Sequence, residues 1–299
     1  MQARQDVAVC SAQKCRANRD KRRETVPKHE AGRVPVIDFH THVFPDSVAR
    51  AAMPAMEANA GVKAAFDGTL SGLRSAMRRA RIDVSVLQPV ATRPEQVRSI
   101  NEWVASVAAE DVVPFGSIHP DFPDPAEEFE RIRSLGIRGI KLHPEFQACS
   151  PVDERMRPIY EAAVASDFIV LFHAGIDIAI DTLSGTPAAL ADVIRDYPSM
   201  RVVLAHMGGF RVWDDVERHI IGTSVYLDTS YSLGHMPTQR FLDLASAHGI
   251  EKVLFGTDAP WADTAEEVAA IRSLELPLED EERILWRNAA NLLGLATPA

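Results

Sequence analysis

Val34-Pro35-Val36-Ile37-Asp38-Phe39-His40-Thr41-His42-Val43-Phe44-Pro45 is a short β-rich apolar run that ends in two histidines two residues apart. From it onward, apolar runs of strand length alternate with longer helical patterns, the signature of a parallel-stranded α/β fold. Eight strands are predicted, with cores at Val36–Phe39, Val84–Leu87, Val113–Ile118, Ile137–Leu142, Phe168–Phe172, Val202–Ala205, Val225–Leu227 and Val253–Phe255. Their nearly unbroken apolar character suits strands buried on both faces.

Helix signals fall between the strands. Asp124-Pro125-Ala126-Glu127 offers an N-cap, a proline at the first helical position and an acid in the first turn. Thr264-Ala265-Glu266-Glu267 reads as a capping box, and Thr186-Pro187 opens a helix that ends near Tyr197-Pro198. In the last helix, Leu285, Ala289 and Leu292 recur on one face, with Gly294 as its C-terminal cap. Residues 34–294 number 261, close to the ~250 of a (β/α)8 TIM barrel, which is the predicted fold. The stretch from Pro45 to Arg79 is long for one connection and is expected to cover the mouth. A doubly wound open sheet is the alternative, but the first strand lacks a glycine-rich phosphate loop.

Six of the ten histidines fall at the C-terminal ends of predicted strands: His40, His42, His119, His143, His173 and His206. In a barrel those ends converge on one mouth, where active sites sit. His40 and His42 share one side of a strand, with Cα atoms ~6.6 Å apart, a gap two imidazoles can close on one ion. Asp258 joins them after the last strand. With His173 it completes three nitrogens and one oxygen, a set suited to a catalytic divalent metal. A lone strand-end histidine is more often packed or hydrogen-bonded than a ligand. For His119 and His143, each followed by a proline, both readings stay open. Period-two parity places Asp38 inward beneath His40, as a group orienting a ligand or as part of a buried barrel network.

The stretches Ile37–Pro45, Gly139-Ile140-Lys141-Leu142-His143-Pro144, Phe172-His173-Ala174-Gly175, Ala205-His206-Met207-Gly208-Gly209, Phe255-Gly256-Thr257-Asp258-Ala259-Pro260-Trp261 and Asn288-Ala289-Ala290-Asn291 resemble the amidohydrolase superfamily. Specifically, they are similar to its amidohydrolase-related branch, which includes aminocarboxymuconate-semialdehyde decarboxylase. The resemblance runs from about Val34 to Gly294. It implies a metal-dependent hydrolase type of TIM barrel in which His40, His42, His173 and Asp258 ligate one divalent metal and His206 faces the substrate as a catalytic residue. The metal expected is one Zn2+, with Mn2+, Fe2+ or Co2+ as alternatives. Binuclear relatives add a carboxylated lysine, and Lys141 stands near that place, so a carboxylated Lys141 would mean two metals; a salt bridge or substrate contact is its other reading.

The expected reaction is hydrolysis of an amide, ester or lactone of a small molecule. Water on the metal would act as hydroxide, Asp258 would move its proton, and His206 or Lys141 would polarise the carbonyl. The alternative keeps the site and changes the chemistry to non-oxidative decarboxylation of an unsaturated or aromatic carboxylate. Arg93 and Arg211 are then the candidate cations for the carboxylate, and Trp213 and Trp261 the candidate aromatic walls. His143 and His119 complete the substrate-binding candidates. A third reading is an inactive barrel retained as a metal-binding scaffold.

Composition bounds the rest. Net charge is −10, yet residues 1–33 carry nine Lys/Arg against four Asp/Glu, so the barrel, residues 34–299, is strongly acidic. An acidic barrel gives no reason to expect nucleic acid, and the basic extension reads as disordered. Cys10, Cys15 and Cys149 are too sparse for a disulfide framework. No apolar run approaches ~18 residues and no secretory core is visible, so the expectation is a cytoplasmic protein that touches no membrane. A homodimer is the default from symmetry.

Overall fold

The computed structural model describes residues 33–296. Residues 1–32, with Cys10, Cys15 and nearly all of the basic extension, lie outside the described residues. All eight predicted strands form: β1 (Ile37–Thr41), β2 (Val84–Leu87), β3 (Val112–Pro114, continued by Gly116–Ser117), β4 (Gly139–Leu142), β5 (Ile169–Phe172), β6 (Arg201–Leu204), β7 (Tyr226–Asp228) and β8 (Val253–Leu254). Every neighbouring pair is parallel. Two hydrogen-bonded seams make the sheet cyclic. Phe115 N–H donates to Leu87 O at 3.1 Å between the two rungs of β3, and Phe39 N–H donates to Phe255 O at 2.8 Å where the last strand meets the first.

Period two decides which side chains fill the barrel. Ile169 and Leu171, and likewise Val203 and Ala205, belong to the inner cluster. Val170, Phe172, Val202 and Leu204 face outward against helix residues such as Leu73, Phe129, Ile159 and Leu190. Strand β1 breaks the rule. Its register with β2 slips by one residue between Asp38 and Thr41, a β-bulge. Ile37 and Phe39 therefore face the inner cluster below the slip, while His40 and His42 still converge above it. Of the two readings for Asp38, the buried network forms. Asp38 accepts hydrogen bonds from Thr257 N–H at 2.9 Å, Thr257 Oγ1 at 2.7 Å and His40 N–H at 3.2 Å. It clamps the backbones that carry two of the site residues.

The connection 45–79 resolves into α1 (Asp46–Ala60), the insertion, and the start of α2 (Leu70–Ala80), the first helix of the outer ring. The ring continues with α3 (Val97–Ser106), α4 (Pro125–Ser134), α5 (Arg157–Ser166), α6 (Pro187–Asp196), α7 (Trp213–His219), α8 (Thr238–His248) and α9 (Thr264–Arg272). Asp124 and Thr186 cap α4 and α6 as the sequence predicts. The cap of α9 lies one residue earlier than predicted. Asp263 accepts from Ala265 and Glu266 N–H, while Thr264 Oγ1 donates to Ala76 O at 3.3 Å and ties α9 to α2.

After α10 (Leu278–Glu282), a π-helical turn at Arg283–Arg287 precedes α11 (Asn288–Leu293), whose C-terminal cap is Gly294. The extra residue in that turn rotates the chain. Leu285 thus packs with the outer cluster while Ala289 and Leu292 join Trp286 in the inner one, so the predicted single face is divided. This segment seals the end of the barrel opposite the mouth: Asn288 Nδ2 donates to Val253 O at the start of β8. No described helix is long and apolar enough to cross a membrane.

Candidate metal centre and active site

His40, His42 and Asp258 meet at the mouth. His42 Nε2 lies 3.1 Å and His40 Nε2 3.4 Å from Asp258 Oδ1. Their backbones are held together across the barrel seam, because Asp258 N–H donates to His40 O at 2.9 Å and His42 N–H to Ala259 O at 2.6 Å. Gly256 permits this approach, since a Cβ there would stand 2.9 Å from His40 Cβ. Asp258 itself adopts φ +67°, and His206 φ +59°. Left-handed backbone in non-glycine residues is strained and recurs at functional sites.

Hydrogen-bond direction fixes the ring tautomers. A carbonyl oxygen only accepts, so His42 Nδ1, 2.7 Å from Gln88 O, carries a proton. The same holds for His206 Nδ1, 3.0 Å from Ser230 O. His40 Nδ1 donates to the Asp228 carboxylate at 2.9 Å. On neutral rings, Nε2 of each histidine is then a lone pair. His206 Nε2 accepts from His173 Nδ1 at 3.1 Å, which leaves His173 Nε2 as a lone pair that is buried and without a hydrogen-bond partner.

These observations test whether the residues fit a divalent ion, and they do. Three lone-pair atoms (His40 Nε2, His42 Nε2, Asp258 Oδ1) face one another with no proton between neutral rings. Their 3.1 and 3.4 Å separations match the ~3.3 Å between neighbouring ligands that each bond an ion at ~2 Å in tetrahedral geometry. His173 Nε2 is the orphaned buried nitrogen beside them. It does not join the mutually close set of His40, His42 and Asp258, and groups instead with His143 and Asp177. That second set does not fit one ion, because the His143 and His173 rings stack at 4.1 Å with planes 8° apart. In-plane lone pairs of parallel rings run side by side and cannot meet at an ion ~2 Å from both.

Burial keeps two of these rings, His40 and His173, neutral among charged partners. Burial, then Lys141, pushes His40 down to about 3, and burial takes His173 well below its usual range. Burial opposes ionisation of Asp228, yet His40 prevails and holds it at about 2. Burial also opposes the charge of Asp258, which His42, His40 and His206 nonetheless keep well below the carboxylate range. Lys141 is buried with Nζ 3.0 Å from His40 Nε2, and burial brings it down to about 8.

A cavity of about 670 Å3 adjoins the histidines through Asp177 and is lined by Ile176, Asp177, Ile178, Arg211, Tyr231 and His235 among others; the end of α1 contributes Ala60. Its size suits a small molecule. Arg211 is the one predicted substrate-binding residue in this lining, with its guanidinium 4.9 Å from the Phe210 ring centre. His143 stands just below, its Nε2 3.3 Å from Asp177 Oδ2. His119, Arg93 and Trp261 lie outside the lining. His119 Nδ1 accepts from Asp121 N–H, and Arg93 is exposed at the start of a short 3-10 turn. Trp213 neighbours the cavity but anchors a catalytic candidate, since its Nε1 donates to His206 O at 3.1 Å.

The sequence reading missed Tyr231, His235 and Glu267. Glu267, part-buried on α9, is pushed up to about 8 by burial, with Asp38 and Asp258 adding to the effect. The folded protein therefore binds a proton there more tightly than the unfolded chain, so stability falls as pH rises from about 4.5 to about 8. Glu267→Gln removes this loss. The difference in melting temperature between variant and wild type, both chelator-treated, should grow in the variant's favour from pH 5 to pH 9; a constant difference would contradict the assignment.

The amidohydrolase family profile matches residues 37–295. The chain belongs to the amidohydrolase family. No curated protein matches the sequence. Solved structures confirm the family's barrel. An uncharacterised TIM-barrel protein from Bordetella bronchiseptica aligns with TM-score 0.71 at 23% identity, covering 87% of this chain and 98% of its own. The 5-carboxyvanillate decarboxylase of Sphingomonas paucimobilis aligns with TM-score 0.69 at 17% identity, covering 88% and 100%. Its namesake from Novosphingobium aromaticivorans, with bound manganese and 3-methoxy-4-hydroxy-5-nitrobenzoic acid, gives 0.67 at 15% identity, covering 91% and 100%. This amidohydrolase thus shares its fold with decarboxylases as well as with proteins of unassigned chemistry.

Proposed function

We propose that this amidohydrolase is a metal-dependent, non-oxidative decarboxylase of a small aromatic or unsaturated carboxylate. The observation that carries this reading is Arg211, a guanidinium in the mouth cavity that forms no ion pair among the described residues. Most arginines of the described surface are paired with carboxylates, as Arg74 is with Asp111 and Arg240 with Asp214 and Glu217. A free cation beside the Phe210 and Tyr231 rings, 5.6 Å apart, suits an aromatic anion. The chemistry named for the Sphingomonas and Novosphingobium neighbours supports the same class.

His40, His42, His173 and Asp258 are assigned to hold one divalent ion, manganese or zinc. When bound, it supplies Lewis acidity toward substrate oxygens. Arg211 and the Lys141 ammonium attract and orient carboxylate. His206, whose Nε2 accepts from His173 Nδ1, is assigned to face the substrate. The bond from ring carbon to carboxylate breaks, carbon dioxide leaves, and the electron pair stays on carbon until a proton reaches it. Asp258 is assigned to carry that proton, because its side chain is 14% exposed whereas those of His40 and Asp228 are sealed at 1% and 0%.

Hydrolysis through the same residues, the first expectation from the sequence, gives a different isotope result. Manganese-loaded protein in deuterated water should release carbon dioxide from a hydroxybenzoate panel and leave one deuterium at the vacated carbon. Cleavage of lactones with uptake of solvent oxygen, and no carbon dioxide, would overturn the proposal. Arg211→Gln should raise KM for the active carboxylate about 10- to 100-fold with a smaller change in kcat, the loss of a charged hydrogen bond. An unchanged KM would remove Arg211 from the binding site.

A further inference from the structure

Asp228-Thr229-Ser230, at the end of β7, places two oxygen-bearing side chains between His40 and His206. Ser230 Oγ lies 3.0 Å from His40 Nδ1 and 3.0 Å from His206 Nδ1, and it is hydrogen-bonded to Asp228 Oδ1. A hydroxyl has one proton to give and two lone pairs to offer. The carboxylate only accepts, so the proton goes to Asp228 and both lone pairs accept from ring N–H groups. His40 Nδ1–H is shared with Asp228 Oδ2 at 2.9 Å, and His206 Nδ1–H with the Ser230 carbonyl at 3.0 Å. Asp228 Oδ1 also accepts from the backbone N–H of His206 and of Ser230, each at 3.1 Å. Asp228, Ser230 and His40 are 0% exposed and His206 4%, so water offers no competing partner. Each proton in this unit has one placement.

We propose that Asp228 and Ser230 are positioning residues that fix the tautomers of His40 and His206 together, so that one hydrogen-bonded unit sets both the affinity of His40 for a divalent ion and the choice of Nε2 as the acceptor nitrogen of His206. The inference rests on the assignment of His40 as a ligand and His206 as a substrate-facing group. Partners of this kind raise ligand basicity and typically change metal affinity 10- to 100-fold. Asp228→Asn is a sharp probe because it is isosteric. Three donors converge on Oδ1, so that oxygen stays in place and the new amide replaces Oδ2. The amide then faces His40 Nδ1, donor against donor, until His40 moves its proton to Nε2 and loses its lone pair at the ion.

The test uses the full chain without substrate. Manganese affinity is measured by chelator competition, and the histidine tautomers are read from 15N ring shifts of the chelator-treated protein. The wild type should show His40 and His206 as Nδ1–H. Asp228→Asn should convert His40 to Nε2–H and weaken manganese about 100-fold or more. Ser230→Ala, which leaves each ring its other acceptor, should shift the signals of both rings and weaken manganese about 10-fold. A Ser230→Ala variant in which neither ring or only one responds, or an Asp228→Asn variant within twofold of wild-type affinity, overturns the proposal. If Asp228→Asn does not fold, the Ser230→Ala result decides alone. A wild type that binds no manganese sinks the metal assignment beneath it, whereas normal wild-type binding with unaffected variants sinks the shared unit only.

Discussion

Replacing His40 and His42 together by alanine should strip the protein of its metal and lower kcat/KM on the active carboxylate by about 10³ or more. Lewis-acid stabilisation of several kcal/mol is lost, and each ~1.4 kcal/mol is a factor of ten. The wild type, purified without chelator, should carry about one equivalent of manganese or zinc. Chelation should silence it and added manganese restore it, while the double variant stays silent under both treatments. The reason is geometric. The two Nε2 atoms and Asp258 Oδ1 form a mutually close donor set, and removing two of the four assigned ligands leaves only Asp258 and His173, which share no such set. Two equivalents in the wild type would instead favour a carboxylated Lys141 bridging a second ion, and with it hydrolysis. No metal, and no activity on adding any, would overturn the metalloenzyme assignment while leaving the barrel intact.

The barrel was legible because its signal is periodic and local. Each apolar run before a strand-end histidine is long enough to register as a strand, and burial on both faces removes the polar alternation of an antiparallel sheet with one face in water. His40, His42 and Asp258 were legible for the same reason: strand ends converge whatever the details of the loops. What escaped depends on one-residue events. The β1 bulge shifts the register between Asp38 and Thr41, and the π-turn before α11 split a face that looked continuous. Neither leaves a mark in hydrophobic pattern. Tyr231 and His235 escaped because loop residues carry no period, and their place in the cavity is set by tertiary packing against Phe210. Arg211 and Arg93 looked equivalent as arginines following strands. Both are exposed, and only the folded chain shows that Arg211 lines the cavity while Arg93 does not.

Lys141→Met should yield a protein that is inactive yet melts higher than wild type at neutral pH. The loss of activity follows from removing the buried charged group beside His40, a cation as the ammonium or an anionic bridge if carboxylated, and should reach about 10³ in kcat/KM, in the range of other electrostatic groups at reacting centres. The gain in stability follows from linkage. Burial brings the Lys141 amine from 10.5 down to about 8, despite the attraction of Asp228 and Asp258. The charged form is therefore disfavoured in the folded state relative to the unfolded chain. Below pH 8 the wild type bears the whole difference, on the order of 3 kcal/mol from the size of the shift. Between about pH 8 and 10.5 the unfolded chain binds the proton more tightly than the folded one, so wild-type stability recovers as pH rises and the advantage of the variant disappears. For a chain of this size the advantage at pH 7 corresponds to roughly 5–10 °C in chelator-treated protein. Differential scanning at pH 7 and pH 10.5 reads both arms. A variant that melts lower than wild type at pH 7 would make Lys141 a structural counter-ion for Asp228 and Asp258, and its burial a source of stability. A higher melting point with lost turnover would show that the lysine is kept at this position, against its own solvation, for what it does to the substrate.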